Sequence, residues 1–282
     1  MRHHDHEHND IFDRGLQFDL STLLQRRRVL GLFAGASLAT LVGCANGSSG
    51  TATEATSSAS SASSSSSTTT SSGSCQEIPE ETAGPYPGDG SNGANILTQS
   101  GIVRSDIRSS IGSASAVAQG VPLTINLTIQ DTSKNCAALA GAAVYLWHCD
   151  RDGNYSMYSQ SIINENYLRG VQETDSSGKV TFTSIVPACY SGRWPHIHFE
   201  VYPSVAKATD SANKIATSQI ALPADVCNTV YATDGYSQSV RNLQQVSLAN
   251  DNVFGDDDGA RQLGTITGSV SSGLTVALTA PV

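Results

Sequence analysis

The chain has 282 residues and a formal net charge of −9 at pH 7. An acidic balance argues against a nucleic-acid partner, because phosphate binding calls for a basic face. The polar and apolar residues are unevenly distributed: a Ser/Thr/Ala/Gly-rich stretch that cannot bury a core separates a short N-terminal segment from a body of ordinary globular composition.

Residues 1–44 read as an export signal. Its polar leader holds His3, His4, His6 and His8, which precede the signal and receive no role in the mature protein. Arg26 and Arg27 stand ahead of an apolar run from Val29 to Val42, which ends in Leu41-Val42-Gly43-Cys44. That run is short for a membrane span, which needs about 20 apolar residues, and it closes in small residues as signal peptides do. The arginine pair is similar to a twin-arginine signal. The last four residues resemble a lipobox, which would make Cys44 the lipidated mature N-terminus, with membrane attachment only through that anchor. A plain signal peptide with a chance cysteine is the alternative. Residues 45–74 read as a flexible tether. Beyond it lie Cys75, Cys136, Cys149, Cys189 and Cys227, an odd number that leaves at least one thiol unpaired in a monomer. No C-x-x-C pair occurs, and the connectivity stays open.

Residues 75–282 suffice for one sizeable domain, and strand signals dominate them. "PLTINLTIQD" alternates Leu123, Ile125, Leu127 and Ile129 with polar residues. "AAVYLWHCD", "KVTFTSIVP", "HIHFEVYP" and "TSQIALP" follow, and the chain closes in a hairpin around Ser271-Ser272-Gly273. No long stretch repeats at helical spacing. The expected fold is all-β, an antiparallel β-sandwich with long active-site loops. The segments 96–111 and 231–261 are weakly patterned and expected to be mostly loop.

"RWPHIHFEV" (193–201) raises the chemical question. Side chains alternate along a strand, so His196 and His198 share a face and Ile197 and Phe199 take the other. Two imidazoles aimed at one point suit a metal, and copper, zinc and iron sites all use such a pair. The plain alternative is a polar pair in the core. His148, within its own strand, is expected to be a buried hydrogen-bonding residue. Asp150–Asn154 hints at a calcium loop, but its glycine is misplaced and no glutamate closes a twelve-residue loop. No Gly-rich strand-to-helix turn for a nicotinamide or flavin is present.

The surroundings of the pair carry a resemblance. W-x-x-D-x-x-G-x-Y, then R-G-x-Q-x-T-D-x-x-G, then P-x-x-Y, R-x-x-H-I-H and "TSQ" follow in order, preceded by "EETAGPYP". Over roughly residues 75–225 this string resembles the intradiol ring-cleavage dioxygenases. The resemblance implies a mononuclear non-haem Fe(III) held by Tyr155, Tyr190, His196 and His198. It implies a pocket bordered by Thr82, Gly84, Pro85 and Tyr86; as single residues Tyr86 and Tyr158 are the weaker pocket candidates. By the same likeness Tyr190 leaves the metal and takes a substrate proton, Arg193 stabilises negative charge, and Gln219 positions it. The implied partners are a catechol-type aromatic substrate and O2, and the products are of cis,cis-muconate type. One departure is Ala188, where many relatives have glycine; a positive φ there would strain it mildly.

The ligand set also makes chemical sense by itself. Free tyrosine titrates near 10, so a phenolate at neutral pH needs a strong local positive charge, which a ferric ion supplies. Two other readings stand beside this one. A lipid-anchored β-sandwich could be a non-catalytic binding or adhesion module, and a copper or zinc enzyme could use His148 with His196 and His198.

Overall fold

The computed structural model describes residues 75–282. The export signal, Arg26, Arg27, Cys44 and the tether lie outside the described residues. Among the described residues nine strands form two sheets. The first contains β1 (Pro122–Asp131), β2 (Ala137–Ala138), β5 (Lys179–Ile185), β8 (Thr265–Ser269) and β9 (Gly273–Pro281), with β1 at its centre between β9 and the β5 and β2 strands. The second runs β4-β3-β6-β7, from β3 (Ala143–Trp147), β4 (Arg169–Glu173), β6 (His196–Tyr202) and β7 (Ala216–Ala221), all antiparallel.

The expectation of an all-β sandwich holds, with one departure from antiparallel pairing. β9 runs parallel to β1, from Leu123 opposite Leu274 to Gln130 opposite Pro281. Parallel neighbours need a long crossover, and here the whole intervening chain supplies it. The main core lies between the sheets: Ile125, Leu127, Phe182 and Val276 from one face meet Val144, Leu146, Ile197 and Phe199 from the other. A second cluster covers the far face of the second sheet, where Tyr145, Trp147 and Tyr202 pack under Ile96, Leu97 and Ile102.

The two weakly patterned segments diverge. Residues 96–111 form turns and isolated bridges, with Val103 beside Val171 of β4 and Asp106 beside Thr183 of β5. The segment therefore lies against strands of both sheets and satisfies edge backbone groups that would otherwise be open. Residues 231–261 correct the loop expectation in part. They contain the end of α1 (Ala224–Tyr231) and all of α2 (Ser237–Leu243). Both helices span about two turns, too short for helical periodicity to stand out in the sequence. α1 follows Pro223 and buries Cys227, Val230 and Tyr231, which fall on one face at three- and four-residue spacing. Cys75 and Cys136 form a disulfide, while Cys149, Cys189 and Cys227 are free and buried. Among the described residues no helix is long and apolar enough to cross a membrane.

Candidate metal centre

The site lies on the outer face of the second sheet, under the loop cover. β6 is buried on both sides. Ile197, Phe199 and Val201 enter the inter-sheet core, so His196 and His198 point the opposite way, as alternation requires. Tyr155 follows the turn that ends the β3 segment. In that turn Asp150 Oδ1 accepts from the N–H groups of Asp152 and Asn154, and the Asp150 carbonyl accepts from Gly153 N–H. The Asp150 carboxylate thus serves its own turn. Gly153 has φ +88°, and a Cβ there would lie 3.2 Å from Tyr190 Cβ. The glycine lets the Tyr155 turn and the Tyr190 segment approach.

Four donor atoms converge. Tyr155 Oη lies 3.3 Å from His198 Nε2, 3.4 Å from His196 Nε2 and 3.5 Å from Tyr190 Oη. Tyr190 Oη lies 3.2 Å from His196 Nε2, and the two Nε2 atoms are 3.1 Å apart. Four ligands bound at about 2.0–2.1 Å in a tetrahedral arrangement stand about 3.3 Å from one another, so the spacing fits one small cation. His196 Nδ1 lies 2.5 Å from the Trp194 carbonyl, which can only accept. The proton therefore sits on Nδ1 and the Nε2 lone pair faces the other donors. Trp147 stacks on His198 with ring centroids 4.8 Å apart and planes 4° from parallel, and Tyr145 stacks on Trp147. Among the described residues no group of three or more His, Cys, Asp or Glu could hold a metal, so a metal here needs the tyrosines.

Electrostatics favours the same reading. Burial, then the Arg193 charge, pushes His196 down to about 3, and burial and His196 hold His198 well below its usual range. Both imidazoles are neutral at physiological pH, the form that can bind a metal. Burial, then the neighbouring Tyr190, drives the Tyr155 phenol well above its usual range. Only a cation at the centre of the cluster would make phenolate the preferred form. Tyr155 is buried and Tyr190 half-buried, which puts Tyr190 on the open side of the cluster.

The remaining expected residues gather around this centre. Arg193 Nη2 donates to Gln219 Oε1 at 2.8 Å, and Gln219 Nε2 donates to the Thr82 carbonyl at 3.0 Å. Thr82 Oγ1 accepts from Gly84 N–H, Gly84 has φ +68°, and a Cβ there would meet His198 Cε1 at 3.5 Å. The Pro85 carbonyl accepts from Asn92, and the Tyr86 ring lies 5.0 Å from Tyr155 and 5.2 Å from Tyr158. Gly84 and Tyr86 therefore lie beside His198 and Tyr155, with Thr82 and Pro85 in the same chain segment.

Two expectations are settled differently. Ala188 has no positive φ, so it is unstrained. His148 bonds the Cys149 carbonyl through Nδ1 at 2.7 Å and Ser184 Oγ through Nε2 at 2.6 Å. With both nitrogens committed inside the core, it is the buried hydrogen-bonding residue expected, and the copper or zinc reading with His148 as third ligand is withdrawn.

Two residues were not anticipated. Asp251, from the weakly patterned 231–261 stretch, accepts through Oδ2 from Arg193 Nε and Trp194 N–H, and through Oδ1 from the Val253 and Phe254 N–H groups. Arg169 is fully buried and belongs to the R-G-x-Q-x-T-D string, the one signal that could have found it. A separate groove, lined by Asn126, Thr128, Lys179 and Thr279, opens on the outer face of the first sheet, among none of these residues.

Comparisons with known proteins agree with this geometry. A family model described as dioxygenase (Dioxygenase_C) matches residues 109–257, more than half of the chain. An intradiol ring-cleavage dioxygenase from Tetranychus urticae has a similar solved structure, with 26% identity, a TM-score of 0.55 and coverage of 73% of this chain and 94% of that one. Catechol 1,2-dioxygenase 2 of Acinetobacter lwoffii is 36% identical over 27% of this chain and 34% of its own length. Chlorocatechol 1,2-dioxygenase of Rhodococcus opacus is 35% identical over 22% and 24%. The match thus spans about a third or less of these curated relatives. With the family model covering half of the chain and a converging donor cluster inside it, the chain belongs to the intradiol ring-cleavage dioxygenase family.

Proposed function

We propose that this protein is an Fe(III)-dependent enzyme that cleaves catechol-type rings between the two hydroxyl-bearing carbons with O2, giving cis,cis-muconate-type products. The observation that carries it is the cluster of two phenol oxygens and two imidazole nitrogens, with five of their six separations at 3.1–3.5 Å. Tyr155, Tyr190, His196 and His198 would hold the iron, which when bound supplies the charge that ionises the phenols and draws electron density from a chelated diol.

The residues of the chain have distinct parts. Buried Tyr155 and the two histidines form the fixed side of the site. Tyr190, on the open side, gives way to the substrate and takes one of its protons on Oη. The carbonyl of Trp194 holds the His196 tautomer throughout. Arg193, aligned by Asp251 and Gln219, faces the negative charge that develops on the ring oxygens as the ring loses aromaticity. Tyr86 and the Thr82–Pro85 turn border the pocket and limit entry of water.

In the same reading the enzyme is exported and attached to the cell envelope through Cys44, a route suited to a protein that acquires its metal before export. The test of function is iron content together with oxygen uptake on a series of substituted catechols, with products identified. Iron-loaded protein that consumes no oxygen with any catechol would refute the activity. For location, Cys44→Ala should release the protein from membranes, and equal partitioning of both forms would refute the anchor.

A further inference from the structure

The row of cross-strand partners that contains the metal-site histidine reads, across the second sheet, Arg169, Trp147, His198, Gln219. Directly opposed residues share a face, so Arg169 lies on the site's side of the sheet, two strands from His198. Its side chain is fully buried and all five of its N–H groups are used. Nε donates to Ser156 Oγ, Nη1 to the Pro87 carbonyl and Tyr145 Oη, and Nη2 to the Tyr86 and Ser156 carbonyls, at 2.8–3.1 Å. The guanidinium thus joins the loop that follows Tyr155 to the loop that carries the pocket, and it also lies over the Tyr158 ring at 5.4 Å.

Every one of these acceptors is neutral. Among the described residues Arg169 forms no ion pair. Two other cations near this face do have carboxylate partners: Arg193 has Asp251, and Lys214 has both Asp89 and Glu200. Burying an unpaired charge costs several kcal/mol; the five hydrogen bonds offset part of that cost, and the charge itself is left to act on an anion bound nearby.

We infer that Arg169 is the uncancelled positive charge of this site, a fixed cation that favours the doubly ionised form of a bound diol while its fork holds the ligand loop to the pocket loop. The inference rests on the proposed diol-binding reading. Two inter-strand steps of about 4.8 Å separate the Arg169 and His198 backbones by about 10 Å. At an effective dielectric of about 20, unit charges about 10 Å apart alter an equilibrium by about tenfold, which sets the scale of the effect expected from side chains on neighbouring strands.

The test uses iron-loaded full-length protein and 4-nitrocatechol at pH 7, reading Kd and the visible band of the bound dianion, with thermal unfolding alongside. Arg169→Met should weaken binding about tenfold and diminish the dianion band. Arg169→Lys keeps the charge but loses the fork, and should bind within about threefold of wild type although its Tm stays low. An Arg169→Met affinity within twofold of wild type would overturn the inference, as would an Arg169→Lys affinity as poor as that of Arg169→Met. Should no neutral variant fold, Arg169→Lys decides alone: near-wild-type affinity at a lowered Tm supports the charge, and a tenfold loss overturns it. Iron-loaded wild type that binds no 4-nitrocatechol refutes the diol reading, and the inference falls with it; wild type that binds, with Arg169→Met unchanged, refutes only the inference.

Discussion

The two sheets differ in what lies on their outer faces. In β1 of the first sheet, buried residues alternate with half-exposed Thr124, Asn126 and Thr128, so one face packs and the other meets water. In β6 of the second sheet every residue from His196 to Tyr202 is buried, although three of the seven are His or Glu. Polar side chains on a wet face need no partner. On a covered face each needs one or carries a cost. The second sheet accepts that cost along one row and its neighbours, at Arg169, His198, Gln219 and Glu200, and there the donor cluster stands. Function in this fold is found where the loop cover makes polarity expensive.

The contrast is open to direct tests. The largest effect should follow His196→Ala or His198→Ala, which leave too few donors for a mononuclear metal; iron should be lost while circular dichroism of the strands persists. Retained iron would show that the cluster is a polar core pair. Next, Asp251→Asn should cost about 3–5 kcal/mol in denaturant unfolding, because it leaves buried Arg193 without its counter-charge. Burial tends to raise the Asp251 pKa, but Arg193 and the Trp194 N–H outweigh it and hold the carboxyl below its usual value. A lowered carboxylate stabilises above its unfolded pKa and loses that contribution as pH falls through the folded value. The gap between wild type and variant should therefore narrow below about pH 4, and a gap independent of pH would contradict the pairing.

Within the first sheet, neighbours on β1 give the internal control. Ile125→Ala opens a cavity in the inter-sheet core and should cost about 2–5 kcal/mol. Removing the Cys75–Cys136 disulfide, which spans 61 residues, should cost about 2–4 kcal/mol without altering iron content. Thr128→Ala, on the wet face of the same strand as Ile125, should change stability by less than about 0.5 kcal/mol. Equal costs at Ile125 and Thr128 would mean that the two faces of the first sheet do not differ as described.

Alternation alone determined much of this molecule. The inward face of β1 and the shared face of His196 and His198 follow from a period of two, because a strand has no other way to place its side chains. The order of tyrosines, histidines and Arg193 in the sequence implies one metal site through its resemblance to the intradiol dioxygenases. The two short helices did not show, because two turns give too few repeats for periodicity. Tertiary structure alone decided the parallel return of β9 beside β1, the pairing of Cys75 with Cys136, and the commitment of His148 to Ser184. It alone brought Asp251 to Arg193 from 58 residues away and left Arg169 buried with neutral partners. Each of these depends on which distant segments meet, and a local pattern of residues holds no term for that.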